Sequence, residues 1–561
     1  MSDNKDHLST SLTYTIEMKK TIYFLSAIVS GFMAASCSSP EKMAEMAENV
    51  TIKCEPAVLE VVAGEIDATV SVTYPEDYFH PKAILEVTPV IVYDGGEVKM
   101  QPFMFQGEKV QDNYQTVPSS GATVTKKVHF DYVPGMENSH LELRGVVSHK
   151  KKSTDLPTMK VADGANTTYM LVCEKGKLDL KADNYQEVIR QTAEGQILYQ
   201  INSADVRNSQ LKGKSVKDYQ AAIDEILANE RKTIVSTDVI AYASPDGKEA
   251  ENAKLSDNRS KSAEKAYGKV VKGKDVSGDV NVTSVAEDWE GFQDLVAASD
   301  IEDKELIIRV LSMYSDPAVR EKEIKNMSAV YSSLAKEVLP ELRRARFIAN
   351  VEYKNYTNEE LLKLIEENID VLDETALLRA ATLVKDNAQK VAIYRKAADK
   401  FDSAAAKYNM GVTYIQMDEL AKAAAALEGL EQDADWCNAM GVIALRNNEL
   451  DAASEYFSIA NSESAKQNAA VIDILDGEYA AAAAKLAGVE GYNAALAQLL
   501  LGNNAPAAAL KCNCANAAYL RAVAAARQGD AQAVKANLET AAKCEKLAAR
   551  AAEDVEFAQY R

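Results

Sequence analysis

The stretch Tyr242-Ala243-Ser244-Pro245-Asp246-Gly247, followed by Asn252-x-x-Leu255-Ser256-x-x-Arg259, decides how the middle of the chain folds. The pattern of residues 233–242 predicts a strand, and the Pro-Asp-Gly sequence after them is typical of a turn. Residues 253–271 carry apolar side chains at the spacing of an amphipathic helix. The sequence therefore predicts a strand, a tight turn and a helix in direct succession.

The same alternation of strands and helices continues on both sides of this stretch. Strands are predicted at 197–202, 280–285 and 346–353, and a further helix at 216–229. Together with strand 233–242 they predict an α/β domain with a mixed four-stranded sheet. A helical insertion at about 288–340 precedes the last strand.

The order of strand, Gly-bearing turn and Asn-x-x-Leu-Ser-x-x-Arg helix resembles the OmpA-like, peptidoglycan-associating domain family, over residues 190–356. The resemblance implies that Arg259 binds the carboxylate of diaminopimelate in the peptidoglycan stem peptide, whose ammonium the family holds with an Asp. That Asp position, fifteen residues before Arg259, is occupied by Ser244, and Asp246 in the turn is the candidate substitute. Asn252 completes the candidate set. Without the resemblance, Asp246 is a turn residue, Asn252 a helix cap and Arg259 an exposed helix residue.

The N-terminal region has the pattern of a lipoprotein secretion signal. Two lysines, an apolar stretch at 22–33 and small residues precede Cys37, so residues 1–36 are predicted to be a signal peptide. The Cys37 thiol is then the site of lipidation by acyl groups such as palmitate, and residues 37–49 form a polar tether. The alternative is a signal peptide with an incidental cysteine.

Residues 50–175 predict an antiparallel β-sandwich, because apolar side chains alternate in period two, as at 68–73, between turn signals at 94–96, 118–121 and 134–135. Histidines of this region show no ligand spacing, namely His80, His129, His140 and His149. Sheet-surface histidines are expected, with a metal site as the weaker alternative. We predict no metal and no cofactor. A disulfide between Cys54 and Cys173 requires the first and last strands to be neighbours, whereas Cys512 and Cys514 are expected to be buried.

Residues 358–561 are Ala-rich and helical, with internal repetition. The pattern Met410-Gly411 recurs thirty residues later as Met440-Gly441, and large residues follow each copy, Leu427 and Phe457 among them. This arrangement resembles tetratricopeptide-like helical hairpins and predicts five of them stacked as an all-α solenoid. The resemblance implies binding of envelope proteins through the repeats. The alternative is a set of packed helices with a purely structural use.

Charge and motifs narrow the function. With 63 Lys and Arg against 84 Asp and Glu, the net charge of −21 argues against nucleic-acid binding. No nucleophile elbow, zinc-binding helix motif or P-loop is present, so we do not expect an enzyme. An envelope enzyme would need a catalytic site assembled from separate segments.

The sequence therefore predicts an outer-membrane lipoprotein, lipid-anchored and facing the periplasm, that acts as a cell-envelope scaffold. Its partners would be the membrane, through the lipid, peptidoglycan, and envelope proteins bound by the repeats. The alternative is an accessory factor in outer-membrane protein assembly, secretion or fimbrial biogenesis.

Overall fold

The structure is a computed structural model that describes residues 40–245, 248–301, 304–326 and 328–561. Cys37, the predicted signal peptide and Asp246 lie outside these residues. The chain forms two compact units: the first combines residues up to Cys173 with Ala469–Arg561, and the second is Glu174–Asn468. The unit boundary near residue 468 thus falls inside the predicted repeat region.

The N-terminal part of the first unit is an eleven-stranded mixed sheet preceded by a short helix. These elements are α1 (Pro40–Glu45), β1 (Thr51–Glu55), β2 (Val58–Val62), β3 (Glu65–Tyr74), β4 (Ile84–Tyr93), β5 (Gly96–Lys99), β6 (Phe103–Gly107), β7 (Gln115–Val117), β8 (Ala122–Asp131), β9 (Ser139–His149), β10 (Lys152–Asp155) and β11 (Met159–Asn166). The main path runs β1-β3-β2-β11-β9-β4-β6-β7, with β8, β5 and β10 added to β3, β4 and β9.

This sheet curls over itself around an apolar core. Side chains of β3 alternate between buried and outward-facing, and the ring of Tyr74 at its end meets Phe105 of β6 edge-on at 6.2 Å. Most neighbouring strands are antiparallel, as predicted, but β2 with β11 and β6 with β7 are parallel pairs. The predicted antiparallel sandwich is therefore a curled mixed sheet.

The cysteines of the described residues are all free thiols, Cys54 and Cys173 included. Cys512 and Cys514 are exposed, so the expectation that they are buried is wrong. The physical reason is local: Cys514 is the residue that starts a helix, and Cys512 lies in the loop before it, where side chains reach solvent.

The second unit contains the predicted four-stranded mixed sheet, in the order β12-β15-β13-β14. Its strands are β12 (Val188–Leu198), β13 (Lys232–Tyr242), β14 (Asp279–Val285) and β15 (Arg344–Lys354), and its first helices are α2 (Asn208–Leu211), α3 (Lys214–Leu227) and α4 (Glu249–Val270). β13 and β14 are parallel, and the other two pairs are antiparallel. The first strand starts before the predicted 197–202 and ends at Leu198; residues 201–202 form a turn, in which Asn202 takes a left-handed φ of 55°.

The predicted insertion between β14 and β15 is helical and has its own apolar cluster, which includes Phe292, Ile307 and Leu342. Its helices are α5 (Trp289–Ala298), α6 (Lys304–Met313), α7 (Pro317–Asn326), α8 (Ser328–Glu337) and α9 (Leu339–Leu342). Asp288 accepts a hydrogen bond from Gly291 N–H at the start of α5 and forms a 2.8 Å ion pair with Arg344 of β15. One buried carboxylate thus caps the insertion and ties it to the sheet.

The remaining helices form the repeat region. They are α10 (Asn358–Glu367), α11 (Glu374–Leu383), α12 (Asn387–Phe401), α13 (Ala404–Gln416), α14 (Leu420–Leu427), α15 (Ala434–Arg446), α16 (Leu450–Ala460), α17 (Glu463–Leu475), α18 (Tyr479–Lys485), α19 (Tyr492–Leu500), α20 (Ala505–Ala508), α21 (Ala515–Gln528), α22 (Ala531–Ala541) and α23 (Glu545–Glu553).

Five turns in this region close in the same way, and they join α13 to α14, α15 to α16, α17 to α18, α19 to α20 and α21 to α22. In each, one backbone N–H bonds to the carbonyl five residues earlier; the donors are Glu419, Glu449, Glu478, Asn503 and Asp530. The predicted helical hairpins are therefore present. Glycines allow close packing, since a Cβ on Gly441 would lie 2.5 Å from the ring of Phe457.

This close approach predicts that Gly441→Ala destabilises the second unit. Forcing the helices apart costs about 1–3 kcal/mol, which outweighs the helix-propensity gain of about 1 kcal/mol. Gly268→Ala in α4 is the matched control, because nothing lies within 4 Å of a Cβ there. Urea unfolding should show a lower midpoint for the first variant and an equal or higher one for the control. Equal midpoints for both would contradict the packing role of Gly441.

Candidate functional site

Arg259, the predicted carboxylate-binding residue, lies on α4 and is only 1% exposed. Its guanidinium donates to the backbone carbonyls of Ser203 at 2.9 Å, Tyr242 at 2.9 Å and Gln200 at 3.1 Å. It also lies 4.9 Å from the ring centre of Tyr199. Arg259 is therefore not the exposed helix residue of the alternative interpretation. It ties the loop after β12 to the end of β13.

Ser244 and Asn252 lie close to Arg259, and both are buried. The Asn252 side chain donates to the carbonyl of Ser244 at 3.1 Å, so the start of α4 holds the segment that leaves β13. The structure thus brings Ser244, Asn252 and Arg259 together at the C-terminal end of β13, while Asp246 lies outside the described residues. Binding of a stem-peptide carboxylate there stays a prediction.

A group of side chains that could hold a metal ion lies on β3 and β8. Among the described residues, this is the one group of three or more potential ligands with its atoms close together. The ligand atoms of Glu65, Asp67 and His129 lie within 4.8 Å of one another, and all three residues are exposed. His129 Nδ1 is 3.0 Å from Asp67 Oδ1, which is an ordinary cross-strand pair between β3 and β8. The geometry of this group does not indicate a bound ion.

A second site was not predicted: asparagines of the repeat helices bind the main chain of an extended segment. Residues 173–186 have no helix or strand. In the second unit, the Asn409 side chain of α13 accepts from the Lys181 N–H at 2.8 Å and donates to the Lys181 carbonyl at 3.1 Å. A single side-chain amide thereby satisfies both backbone groups of one residue, as a neighbouring strand would.

Two further asparagines bind the segment four residues earlier. Asn468 of α17 accepts from the Lys177 N–H at 2.6 Å and donates to its carbonyl at 2.9 Å. Asn438 of α15 donates to the same carbonyl at 2.9 Å, and the Asn468 amide donates to Asn438 Oδ1 at 2.8 Å. Asn409, Asn438 and Asn468 are 1%, 3% and 2% exposed. These buried amides are satisfied largely by the segment.

The first unit contains the same arrangement. Asn493 of α19 accepts from the Cys173 N–H at 2.9 Å and donates to the Cys173 carbonyl at 2.8 Å. The residues bound in this way are therefore 173, 177 and 181, a regular spacing of four. We call these contacts the asparagine clamps, formed by Asn409, Asn438, Asn468 and Asn493.

The clamps occupy repeated positions. Each hairpin turn is closed by one backbone donor, as described above. Asn409, Asn468 and Asn493 lie ten residues before the donor of their hairpin, and Asn438 lies eleven residues before the donor of its hairpin. An asparagine recurring at one position of otherwise Ala-rich helices was the signal in the sequence. It was missed because polar residues on a helix are ordinarily assigned to its solvent face.

One side chain of the segment is recognised as well. The Lys181 ammonium bonds to the carboxylates of Asp433, at 2.6 Å, and Asp435, and lies 5.2 Å from the ring centre of Tyr408. We call this the lysine subsite: Asp433, Asp435 and Tyr408. Two acids and one aromatic face fit a compact ammonium group.

Electrostatics favour the charged forms at the lysine subsite. Burial acts to lower the pKa of Lys181, but hydrogen bonds to Asp433 and Asp435 and their charges outweigh it, so the pKa is raised. Burial acts to raise the pKa of Asp433, yet hydrogen bonds from Lys181 and the Trp436 N–H hold it below its usual value. The charge of Asp433 therefore contributes to stability above about pH 4, and this contribution is lost as the pH falls through the folded-state pKa of Asp433. The charge of Lys181 contributes fully below about pH 10, and this contribution is lost as the pH rises through the folded-state pKa of Lys181.

Three more contacts hold the segment within the second unit. Ser464 donates to the carboxylate of Asp179, and Arg379 lies 3.8 Å from that of Asp183. The Tyr185 hydroxyl donates to the carbonyl of Tyr356 at 2.7 Å, and its ring joins the apolar cluster of the first repeat helices. Contacts therefore extend along the segment from Lys177 to Tyr185.

Comparison with known proteins adds little to this geometry. No protein-family model matches the chain, and no curated protein matches it. Among solved structures, the crystal structure of YrrB, described as a TPR protein with an unusual peptide-binding site, is similar. It is 20% identical, covers 35% of this chain and 100% of its own, and has a TM-score of 0.20. Function must therefore be inferred from the contacts of this chain.

The clamps predict that Asn468→Ala loosens the segment. The variant loses the bonds to Lys177 N–H, to its carbonyl and to Asn438, each contributing about 0.5–1.5 kcal/mol. We expect faster amide hydrogen exchange at Lys177 and a lower free energy of unfolding. Asn447→Ala, at an exposed position after α15, is the control and should change neither. Unchanged exchange at Lys177 in Asn468→Ala would contradict the clamp.

Proposed function

We propose that the protein is a cell-envelope scaffold whose helical repeats bind extended polypeptide. The observation that carries this proposal is the set of asparagine clamps, which bind both backbone groups of one residue at regular intervals. Backbone groups are the same in every peptide, so this surface suits segments of varied sequence. A tetratricopeptide-like role in protein–protein interaction agrees with the hairpins and their glycine contacts.

We propose that the scaffold is held at the outer membrane by a lipid on Cys37, facing the periplasm. The support is the sequence pattern before Cys37. Two or three acyl chains would anchor the whole molecule. In the part of the chain that the structure describes, no helix is long and apolar enough to cross a bilayer.

We propose that the α/β part of the second unit is an OmpA-like domain that binds peptidoglycan or a partner. The support is the mixed four-stranded sheet and the convergence of Ser244, Asn252 and Arg259 at the end of β13. Because Arg259 bonds to three carbonyls, its first role is to hold the loop after β12 against the end of β13.

The second candidate function is an accessory factor in outer-membrane protein assembly, secretion or fimbrial biogenesis. The same clamps favour it, since a client protein is presented as an extended chain before it folds. In both cases we propose a binding role and no enzymatic activity, because the sequence contains no nucleophile elbow, zinc-binding helix motif or P-loop.

Lipid anchoring predicts that Cys37→Ser abolishes incorporation of radiolabelled palmitate and moves the protein from the membrane fraction to the soluble fraction. Cys54→Ser, at a half-buried position of β1, is the matched control and should retain both label and location. Label retained in the Cys37→Ser variant would show that Cys37 is incidental.

Cell-wall binding is tested by co-sedimentation of the full chain, in mild detergent, with insoluble peptidoglycan. Ser244→Asp should strengthen binding about tenfold or more, because it restores a charged partner for the stem-peptide ammonium. Arg259→Lys should weaken it, because an ammonium cannot keep the three carbonyl contacts that position the end of β13 and also lacks the planar fork that fits a carboxylate. Circular dichroism checks that each variant is folded. No co-sedimentation by any folded variant would remove the cell-wall role and favour the accessory-factor function.

A further inference from the structure

We propose that residues 175–183, here called the strap, are a displaceable occupant of the repeat groove in the second unit; the strap ends before Tyr185, whose ring stays in the apolar cluster. The external ligand of that groove is then an extended peptide with a lysine at the position of Lys181 and a glycine five residues before it. This inference rests on the proposed peptide-binding function and specifies both the class of ligand and its regulation.

The first step is that the hold on the strap is mostly independent of its sequence. The hydrogen bonds that Asn409, Asn438 and Asn468 make to the strap involve backbone atoms of Lys177 and Lys181. A peptide from another protein offers the same N–H and carbonyl groups at the same spacing of four residues. The groove therefore has no means of distinguishing the strap from a partner at these positions.

The second step is that two positions do impose a sequence. The lysine subsite selects an ammonium group, because two carboxylates and the Tyr408 ring surround Lys181 Nζ. At Gly176, φ is +77° and a Cβ would lie 2.5 Å from the Val442 side chain. Any larger residue there is both strained and blocked. Together these positions define a Gly-x-x-x-x-Lys register.

The third step is that the strap can leave without exposing a core. Lys177, Asp179 and Leu180 are exposed, and Leu180 retains 43% of its surface. Little apolar area is therefore lost to water when the strap is released. The asparagines behind it are polar and accept water or another peptide in its place. The states with the strap bound and with the strap released thus differ mainly in polar contacts that water or another peptide can replace.

The fourth step concerns competition. The strap is covalently joined to the groove, and a tethered segment of this length has an effective concentration in the millimolar range. A free peptide with the same contacts binds poorly against that concentration. Weakening the strap, without altering the groove, should therefore raise the affinity for an added peptide.

The test uses a fluorescent synthetic peptide with the sequence of residues 174–186, and fluorescence anisotropy with the full chain in mild detergent. Lys181→Ala and Gly176→Val weaken the strap by different contacts and leave the groove residues intact. Both should bind the peptide at least about tenfold more tightly than the wild type does. Lys175→Ala, an exposed strap residue, is the control and should match the wild type.

Two further arms assign the effect to the groove. A peptide with Ala at the position of Lys181 should bind the Lys181→Ala protein without the gain in affinity. The unaltered peptide should likewise show no gain with the double variant Lys181→Ala, Asn409→Ala. If neither strap variant binds better than the wild type although the peptide does bind, the strap inference fails and the proposed peptide binding stands. If the peptide binds none of these proteins, the proposed peptide binding fails as well.

Discussion

A peptide group that leaves a strand or helix must still find a hydrogen-bond partner, and this requirement shapes the repeat region. Residues 173–186 lie in no sheet, yet the N–H and carbonyl groups of Cys173, Lys177 and Lys181 bond to side-chain amides of the repeat helices. The dependence is mutual. Buried asparagines would be costly in an Ala-rich core without hydrogen-bond partners, which this segment supplies here and which water or another peptide could supply in its place.

The α/β part of the second unit meets the same requirement with charged groups. Arg259 donates to three carbonyls, two in the loop after β12 and one at the end of β13, and Asp288 accepts a hydrogen bond at the start of α5 while it pairs with an arginine of β15. Each of these side chains is buried. Polar groups, as well as apolar packing, thus determine where the loops of this unit lie.

Much of the fold follows from periodic patterns in the sequence. Strands β13, β14 and β15 and the hairpins of the repeat region were predictable, because alternation and recurring small residues reflect local geometry. The start of β12 and the parallel pair of β2 with β11 were not, since pairing between distant strands leaves no local pattern. The same limit applies to the sites. The proximity of Ser244, Asn252 and Arg259 followed from the motif, but the clamps depend on a segment more than 200 residues away in sequence.

The discontinuous first unit has a consequence for the order of folding. Residues 469–561 belong with the N-terminal sheet, as shown by the hydrogen bond from Asn166 to Glu556 at 2.8 Å and from Arg550 to the Thr167 carbonyl at 2.8 Å. The second unit is continuous and can be complete while the chain is still being synthesised. The first unit must wait for its last helices. An incomplete chain would therefore leave the polar groups of Asn166 and Thr167, at the end of β11, without the partners that the last residues of the chain supply.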